Sequence, residues 1–340
     1  MRITVLLGGT SSERDVSLAS GLRIAAALRA NGHDVTAVDT ARGALTEADE
    51  RAMLAGTLMQ ALPPEHEALA QLASATLPAA VQRLPSPATA DVVFLGLHGG
   101  QGEDGTMQAL LDLTGVPYTG SGHLASALAM DKDLSKQLFR QASVPTPEWL
   151  MAPASNGEVI AALGLPVIVK PSKQGSTVGL TLVKDIAGLQ PAIEEARRYD
   201  DEVMLERFIP GRELTVGILG DEALPVGEII PTHEIYDYEC KYTAGMAREE
   251  FPAKLTADET ARIQALSTQA FRALKLSGYA RIDFRMTSDG TFYCLEANTL
   301  PGMTELSLIP QAAAAAGIGF SELCERIVQL AARRRMGERS

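Results

Sequence analysis

Residues 280–304 read ARIDFRMTSDGTFYCLEANTLPGMT. Two runs with strand-like alternation, Arg281–Met286 and Phe292–Asn298, flank Asp289-Gly290, a strong short-range hairpin signal. With Asp289 and Gly290 as a two-residue loop, Ser288 pairs with Thr291. Counting back then sets Asp283 opposite Glu296 and Arg281 opposite Asn298. Side chains alternate faces along a strand, so these four share one face, together with Cys294. Ile282, Phe284, Leu295 and Ala297 are expected on the other, against the core. Like charges directly opposite each other destabilise a sheet, and a divalent cation removes that penalty. Two carboxylates and an amide oxygen form a hard, all-oxygen donor set suited to magnesium. Taken alone, the hairpin is equally well read as a solvated face on which Arg281 neutralises an acid.

The chain has 340 residues, 46% of them hydrophobic, which is room for two or three globular domains. A formal net charge of -12 argues against a nucleic-acid or anionic-membrane partner and leaves phosphate binding to local basic residues. Cys240, Cys294 and Cys324 have no metal-type spacing, and their odd number fits a reducing compartment. The run ITVLL after Met1-Arg2 is too short for a signal peptide, and no apolar stretch is long enough to span a bilayer. The expectation is a cytoplasmic enzyme or binding protein.

Ile3–Leu7 reads as a buried strand, followed by Gly8-Gly9-Thr10-Ser11-Ser12-Glu13, a helix from about Val16 to Ala30, and a strand over Asp34–Val38. The β-loop-α-β order is that of a dinucleotide-binding unit, but G-x-G-x-x-G is missing, and Glu13 stands where a pyrophosphate needs bare backbone donors. A carboxylate there repels phosphate and attracts an ammonium; complementing the helix dipole is the commoner role for such a residue. Helices are expected around Glu47–Gln60 and Glu65–Gln82, and a strand over Asp91–Leu97 runs into His98-Gly99-Gly100-Gln101-Gly102-Glu103. Ligands bind open α/β sheets at the carboxyl ends of strands, which favours His98. Pro117–Gly122 reads as a linker, and one helix follows with Met130-Asp131-Lys132-Asp133-Leu134-Ser135-Lys136 in its early turns.

A strand over Pro166–Val169 leads to Lys170, then to Ser172-Lys173-Gln174-Gly175-Ser176-Thr177-Val178-Gly179 and a further strand. No helix opens after this loop and no Walker motif is present. A Gly/Ser loop on a hairpin can still fold over phosphates as a lid, or be an ordinary flexible turn. Further strands, a long polar segment over 233–251, a helix opened by the capping box Thr256–Glu259 and an amphipathic helix over Phe320–Arg335 complete the chain.

Taken in order, LLGGTSSERDVS, LHGGQGEDG, YTGSG, MDKDLSK, VIVKPSKQGSTVG, LERFIPGRE, YDYECKY, ARIDF and LEANTLPGMTELSLIP resemble the D-alanine–D-alanine ligase family of ATP-grasp enzymes, from about Ile3 to Leu330. Each block is weak by itself; nine in the family's order are specific. The resemblance implies a three-domain α/β ATP-grasp architecture with a Rossmann-like N-terminal domain. Its domains would be residues 1–121 (substrate), 122–206 (central, with the Gly/Ser lid) and 207–340 (metal site and 233–251 loop). It also implies ATP and D-alanine as substrates, an acyl-phosphate intermediate, a product used in peptidoglycan precursors, and a homodimer.

Matched position by position, the resemblance implies that Asp283, Glu296 and Asn298 hold two Mg2+ or Mn2+ ions against the ATP phosphates. Lys132 and Lys170 match the lysines on the inner phosphates, Lys241 the one nearer the γ-phosphate, and Ser176 and Thr177 the lid. Glu206, Arg207, Ile209 and Glu213 match the adenine and ribose contacts. Glu13 matches the residue that grips the first D-alanine's ammonium, with His98 nearby. Arg281 and the Gly302 N–H match the oxyanion hole, and Ser307 with Leu308 the site of the second D-alanine's carboxylate. Glu13, Ser176 and Tyr242 match a hydrogen-bonded network between the two amino-acid sites. Tyr242 favours an amine acceptor over D-lactate; D-serine stays open. A ligase with another acceptor and a non-catalytic nucleotide sensor are the alternatives, and the sensor has no use for both Glu13 and an oxyanion arginine.

Overall fold

The strands of the computed structural model, which describes residues 1–56, 69, 85–233, 235–236 and 245–337, fall into three sheets. The first holds β1 (Arg2–Leu7), β2 (Asp34–Asp39), β3 (Gly43–Ala44) and β4 (Val92–Leu95) in the order β3-β2-β1-β4. β1 lies parallel to both β2 and β4. A parallel neighbour requires a crossover, supplied between β1 and β2 by α1 (Arg14–Ala30). α1 lies close on β1: a Cβ on Gly21 would fall inside contact distance of Leu7.

α2 spans only Glu47–Ala55, opened by a Thr46–Asp49 capping box and stopped at Gly56, so it is shorter than the pattern predicts. The helix expected over Glu65–Gln82 lies outside the described residues. Beyond β4 come the short helix α3 (Gly100–Glu103) and α4 (Thr106–Thr114). The supposed linker at 117–122 is built into the first sheet instead. Tyr118 bridges Val93 in parallel, and the Val93 N–H donates to Pro117 O at 2.9 Å while the Thr119 N–H donates to Val93 O at 3.0 Å.

The single helix expected after Gly122 is two, α5 (His123–Met130) and α6 (Lys132–Gln141). Asp131 breaks the run with extended backbone, and its carboxylate accepts the Leu134 N–H at 3.0 Å as the N-cap of α6. Four strands then form an antiparallel sheet: β5 (Trp149–Met151), β6 (Val167–Pro171), β7 (Thr181–Val183) and β8 (Val203–Arg207), ordered β5-β8-β6-β7. α7 (Asn156–Ala162) and α8 (Leu189–Ala196) bury Val159, Leu189 and Ile193 against it.

The largest sheet contains β9 (Arg212–Leu219), β10 (Glu222–Ala223), β11 (Gly227–Pro231), β12 (Ala247–Glu250), β13 (Tyr279–Met286) and β14 (Phe292–Asn298), with path β12-β11-β9-β13-β14 and β10 on β9. α9 (Ala257–Ala273) starts at the expected Thr256–Glu259 capping box and shares this sheet's core with Ala125, Ala129 and Phe139 of α5 and α6. α10 (Leu308–Ala315) and α11 (Phe320–Gly337) return to the N-terminal core, where Leu323, Ile327 and Val328 pack in one cluster with Val5, Leu22 and Phe94.

The β13–β14 hairpin reaches the expected pairing by a different route. Thr287 closes on Thr291 at 3.0 Å across a three-residue loop in which Gly290 has φ +82. Met286–Phe284 therefore pair with Phe292–Cys294, one residue out of the register counted from a two-residue loop. A β-bulge at Leu295 restores it, so Asp283 does face Glu296 and Arg281 does face Asn298. The extra residue also exchanges two side chains. Cys294, expected among the acids, is fully buried in the core, and Leu295, expected in the core, lines a cleft beside Glu296.

Candidate active site

Two clefts of about 940 and 980 Å3 meet along a common wall formed in part by Lys132, Ser176, Arg281 and Glu296. The first lies between the N-terminal sheet and the 298–308 segment. Glu13 stands at the N-cap of α1 but caps no N–H with its side chain; its carboxylate instead accepts the Ser176 hydroxyl of the 172–179 loop. Gly99 and Gly175 press on that carboxylate so closely that a Cβ on either would collide with it. Glycine at both positions is what lets two loops close over Glu13.

His98 is buried. Its Nδ1 lies 2.7 Å from the Leu300 carbonyl, which can only accept, so Nδ1 carries the proton and Nε2 accepts the Ser20 hydroxyl at 2.9 Å. Burial lowers its pKa, which is consistent with a neutral ring. Glu103 lines the same cleft. Burial and then Glu13 push its pKa up to about 7, against the backbone N–H groups that favour its charge. At the far wall the Ser307 hydroxyl accepts the Thr304 N–H at 2.9 Å, and Leu308 opens α10. A Cβ on Gly302 would meet Ser307 Oγ at 2.6 Å.

The second cleft is walled by the ends of β6 and β8, the 172–179 loop and the large sheet. Lys170 donates to Glu206 Oε1 at 2.8 Å, and the buried Lys136 donates to Oε2 at 2.6 Å. Burial alone would raise Glu206, but the two lysines hold it below the usual carboxylate range; Lys136 is pushed down to about 8 by burial, opposed by Glu206. Arg207 and Ile209 also line this cleft, as does Glu213, which pairs with Arg285 at 3.0 Å. The Thr177 hydroxyl donates to Tyr236 O at 2.9 Å, joining the lid loop to the 233–251 segment. Lys241 and Tyr242 lie outside the described residues.

Where the clefts meet, Arg281 donates to Asp283 from Nε to Oδ1 at 2.9 Å and Oδ2 at 3.2 Å, and from Nη2 to Oδ2 at 2.8 Å. Burial opposes its charge, and Asp283 raises its pKa above even the ordinary arginine value. Asp283 also accepts from Thr215 at 2.7 Å and from Asn298 at 2.9 Å, while Lys132 sits 3.3 Å from Glu296 and donates to Gln174 O at 2.7 Å. The guanidinium is thus engaged by Asp283.

Comparison with known proteins fits this arrangement. The family model described as D-ala D-ala ligase N-terminus matches residues 2–121, and the one described as D-ala D-ala ligase C-terminus matches residues 138–329. The chain belongs to the D-alanine–D-alanine ligase family. A D-alanine–D-alanine ligase of Geotalea uraniireducens is 43% identical over 97% of this chain and 96% of its own. One of Geobacter sulfurreducens is 44% identical over 96% and 93%. The crystal structure of the Bacillus anthracis ligase complexed with ATP superposes with a TM-score of 0.77 at 33% identity, covering 99% of each chain.

Among the described residues no three His, Cys, Asp or Glu side chains cluster as a metal cage. The side chains that could hold a cation here are Asp283, Glu296 and the Asn298 amide. The donor set fits: it is all oxygen, and its two negative charges face Arg281 and Lys132. Sequence reasoning passed over three residues here, the buried Lys136 that pairs with Glu206 and the cleft residues Glu103 and Leu295. Lys136 lies one turn after Lys132 in a block already singled out, Glu103 lies in the loop after His98, and Leu295 was assigned to the core. The i, i+4 spacing signals the first; the other two depend on contacts far apart in sequence.

Proposed function

We propose that this protein joins two D-alanines into D-alanyl-D-alanine at the expense of ATP, through an acyl phosphate, supplying a cell-wall precursor. One observation carries the reading. A cleft with a carboxylate suited to an ammonium, Glu13, opens through Lys132, Arg281 and Glu296 into a cleft lined by Lys170, Glu206 and Ile209. An amino acid held at the first by its ammonium presents its carboxylate to the γ-phosphate of a nucleotide held in the second.

A carboxylate is a poor electrophile, and two anions must be brought together before it can be phosphorylated. Lys132 and Lys170 supply positive charge at the phosphates, with Ser176 and Thr177 of the lid loop. Glu206, Arg207, Ile209 and Glu213 hold the adenosine, and Lys241 the terminal phosphate. Asp283, Glu296 and Asn298 would hold two Mg2+ or Mn2+ ions, which neutralise the phosphate charge and polarise the γ-phosphoryl group when bound. The second D-alanine, its carboxylate at Ser307 and Leu308, then attacks with its free amine. A C–N bond forms, the C–O bond to phosphate breaks, and phosphate leaves. Arg281 and the Gly302 N–H hold the oxyanion between these events. Glu13, Ser176 and Tyr242 link the two amino-acid sites, and closure of the 172–179 loop keeps water from the acyl phosphate.

The family reading also assigns domains at 1–121, 122–206 and 207–340, a homodimer and a cytoplasmic setting; among the described residues no helix is long and apolar enough to cross a membrane. The test is a product assay with ATP and magnesium, comparing D-alanine, D-serine, D-lactate and L-alanine as acceptors. Dipeptide from D-alanine with one ADP per product is expected. ADP release with none of them would leave a nucleotide-binding protein, and a D-lactate product would reassign the acceptor.

A further inference from the structure

The 299–303 segment runs from β14 to α10 without regular structure, yet it is pinned by the N-terminal domain at Thr299, Leu300 and Met303. The N–H groups of Thr299 and Leu300 both donate to Glu103 Oε1 at 3.0 Å. The other oxygen of the same carboxylate accepts the Gly99 N–H at 3.1 Å. The Leu300 carbonyl accepts from His98, the Met303 N–H donates to Ser20 Oγ at 3.1 Å, and the Met303 carbonyl accepts from Arg23 at 3.1 Å. Pro301 has no N–H. One donor in the run is left over: among the described residues the Gly302 N–H makes no hydrogen bond, and Gly302 lines the first cleft.

We propose that Glu103 is a positioning residue that aims the Gly302 N–H at the reacting carbonyl, by clamping the 299–300 peptides to the loop that also packs against Glu13. The inference rests on the ligase reading of this cleft. Three N–H groups converge on one side chain, two on one oxygen and one on the other. Only a carboxylate accepts at both ends; an amide turns a donor toward one of them. The oxyanion donor is therefore registered to the amino-acid-binding domain rather than to the sheet that carries the acids. Glu103 acts through the 299–300 peptides, and its loss should act on the second chemical step more than on nucleotide binding.

The experiment compares ADP with dipeptide for the full-length enzyme and for Glu103→Gln, with ATP, magnesium and D-alanine. Wild type should give one ADP per dipeptide. In E103Q, dipeptide formation is expected to fall by at least ~10-fold, part of the ~10²–10³ that a lost oxyanion donor costs, with KM for ATP unchanged. ADP should then exceed dipeptide, because an acyl phosphate that waits for the amine is lost to water at phosphorus: a P–O bond to water forms, the P–O bond to the acyl oxygen breaks, and phosphate and D-alanine leave without using the oxyanion donor. A merely destabilised protein loses both products in proportion. Ser20→Ala loosens the same segment from its other end and carries the test if E103Q does not fold. Excess ADP in either variant supports the clamp; one ADP per dipeptide in the folded variants overturns it. Wild type that makes no dipeptide from D-alanine would fail the ligase reading itself.

Discussion

At Arg281 a single guanidinium faces two demands. It neutralises Asp283 in the structure at hand, and the mechanism asks it to face the developing oxyanion. Replacing it with alanine should lower turnover by ~10²–10³ while leaving ATP affinity in place, read by steady-state rates beside nucleotide titration. Unchanged turnover would take Arg281 out of the chemistry. Lys136 has a different task, as the buried counter-ion that shares Glu206 with Lys170. Lys136→Met should destabilise the fold at neutral pH by up to ~3–5 kcal/mol, less if Lys170 compensates. The sign with pH follows from its lowered pKa of about 8. Between about 8 and the ordinary lysine range the unfolded chain keeps a proton that the folded chain has lost, so wild type gains stability as pH rises there. K136M lacks that gain, so the gap between the two should widen in urea titrations across that window.

Among the elements, α1 and β14 show how local pattern and packing divide the work. The apolar spacing after Val16 marks α1, but its distance from β1 is set by Gly21, which admits Leu7 where a methyl group cannot fit. Gly21→Ala should therefore destabilise by about 1–3 kcal/mol as an overpacked core, despite alanine's better helix propensity, measured as a lower urea midpoint with unchanged slope. In β14 the alternation found the strand and its partner acids, because like charges facing each other leave a trace in sequence. The bulge at Leu295 left none. It lets Leu295 and Glu296, neighbours in sequence, both face the second cleft while Cys294 keeps to the core.

At the scale of the whole molecule, the site is assembled from both ends of the chain. Ser176 meets Glu13 across 163 residues and the Leu300 N–H meets Glu103 across 197, while α11 returns to the N-terminal core. A ligand seated between these parts should stabilise all of them together. ATP with magnesium at about 100 times its Kd should add about 2.7 kcal/mol, seen as a rise in Tm that shrinks when a chelator removes the metal. No rise at any ATP concentration would contradict a nucleotide cleft in the place described.

The sequence determined what is written within a few neighbouring residues or in ordered blocks: strand alternation, the presence of a hairpin turn before Thr291, the capping box at Thr256, and nine motifs that identified the family. The tertiary structure decided what depends on packing between distant segments. It split one expected helix at Asp131 and drew the 117–122 segment into a sheet. It also cancelled a loop of the wrong length with a bulge. The physical reason is range. Turn chemistry and periodicity act over one or two residues of backbone geometry, whereas a carboxylate such as Glu103 acquires its partners only after chain segments nearly two hundred residues apart have been brought together.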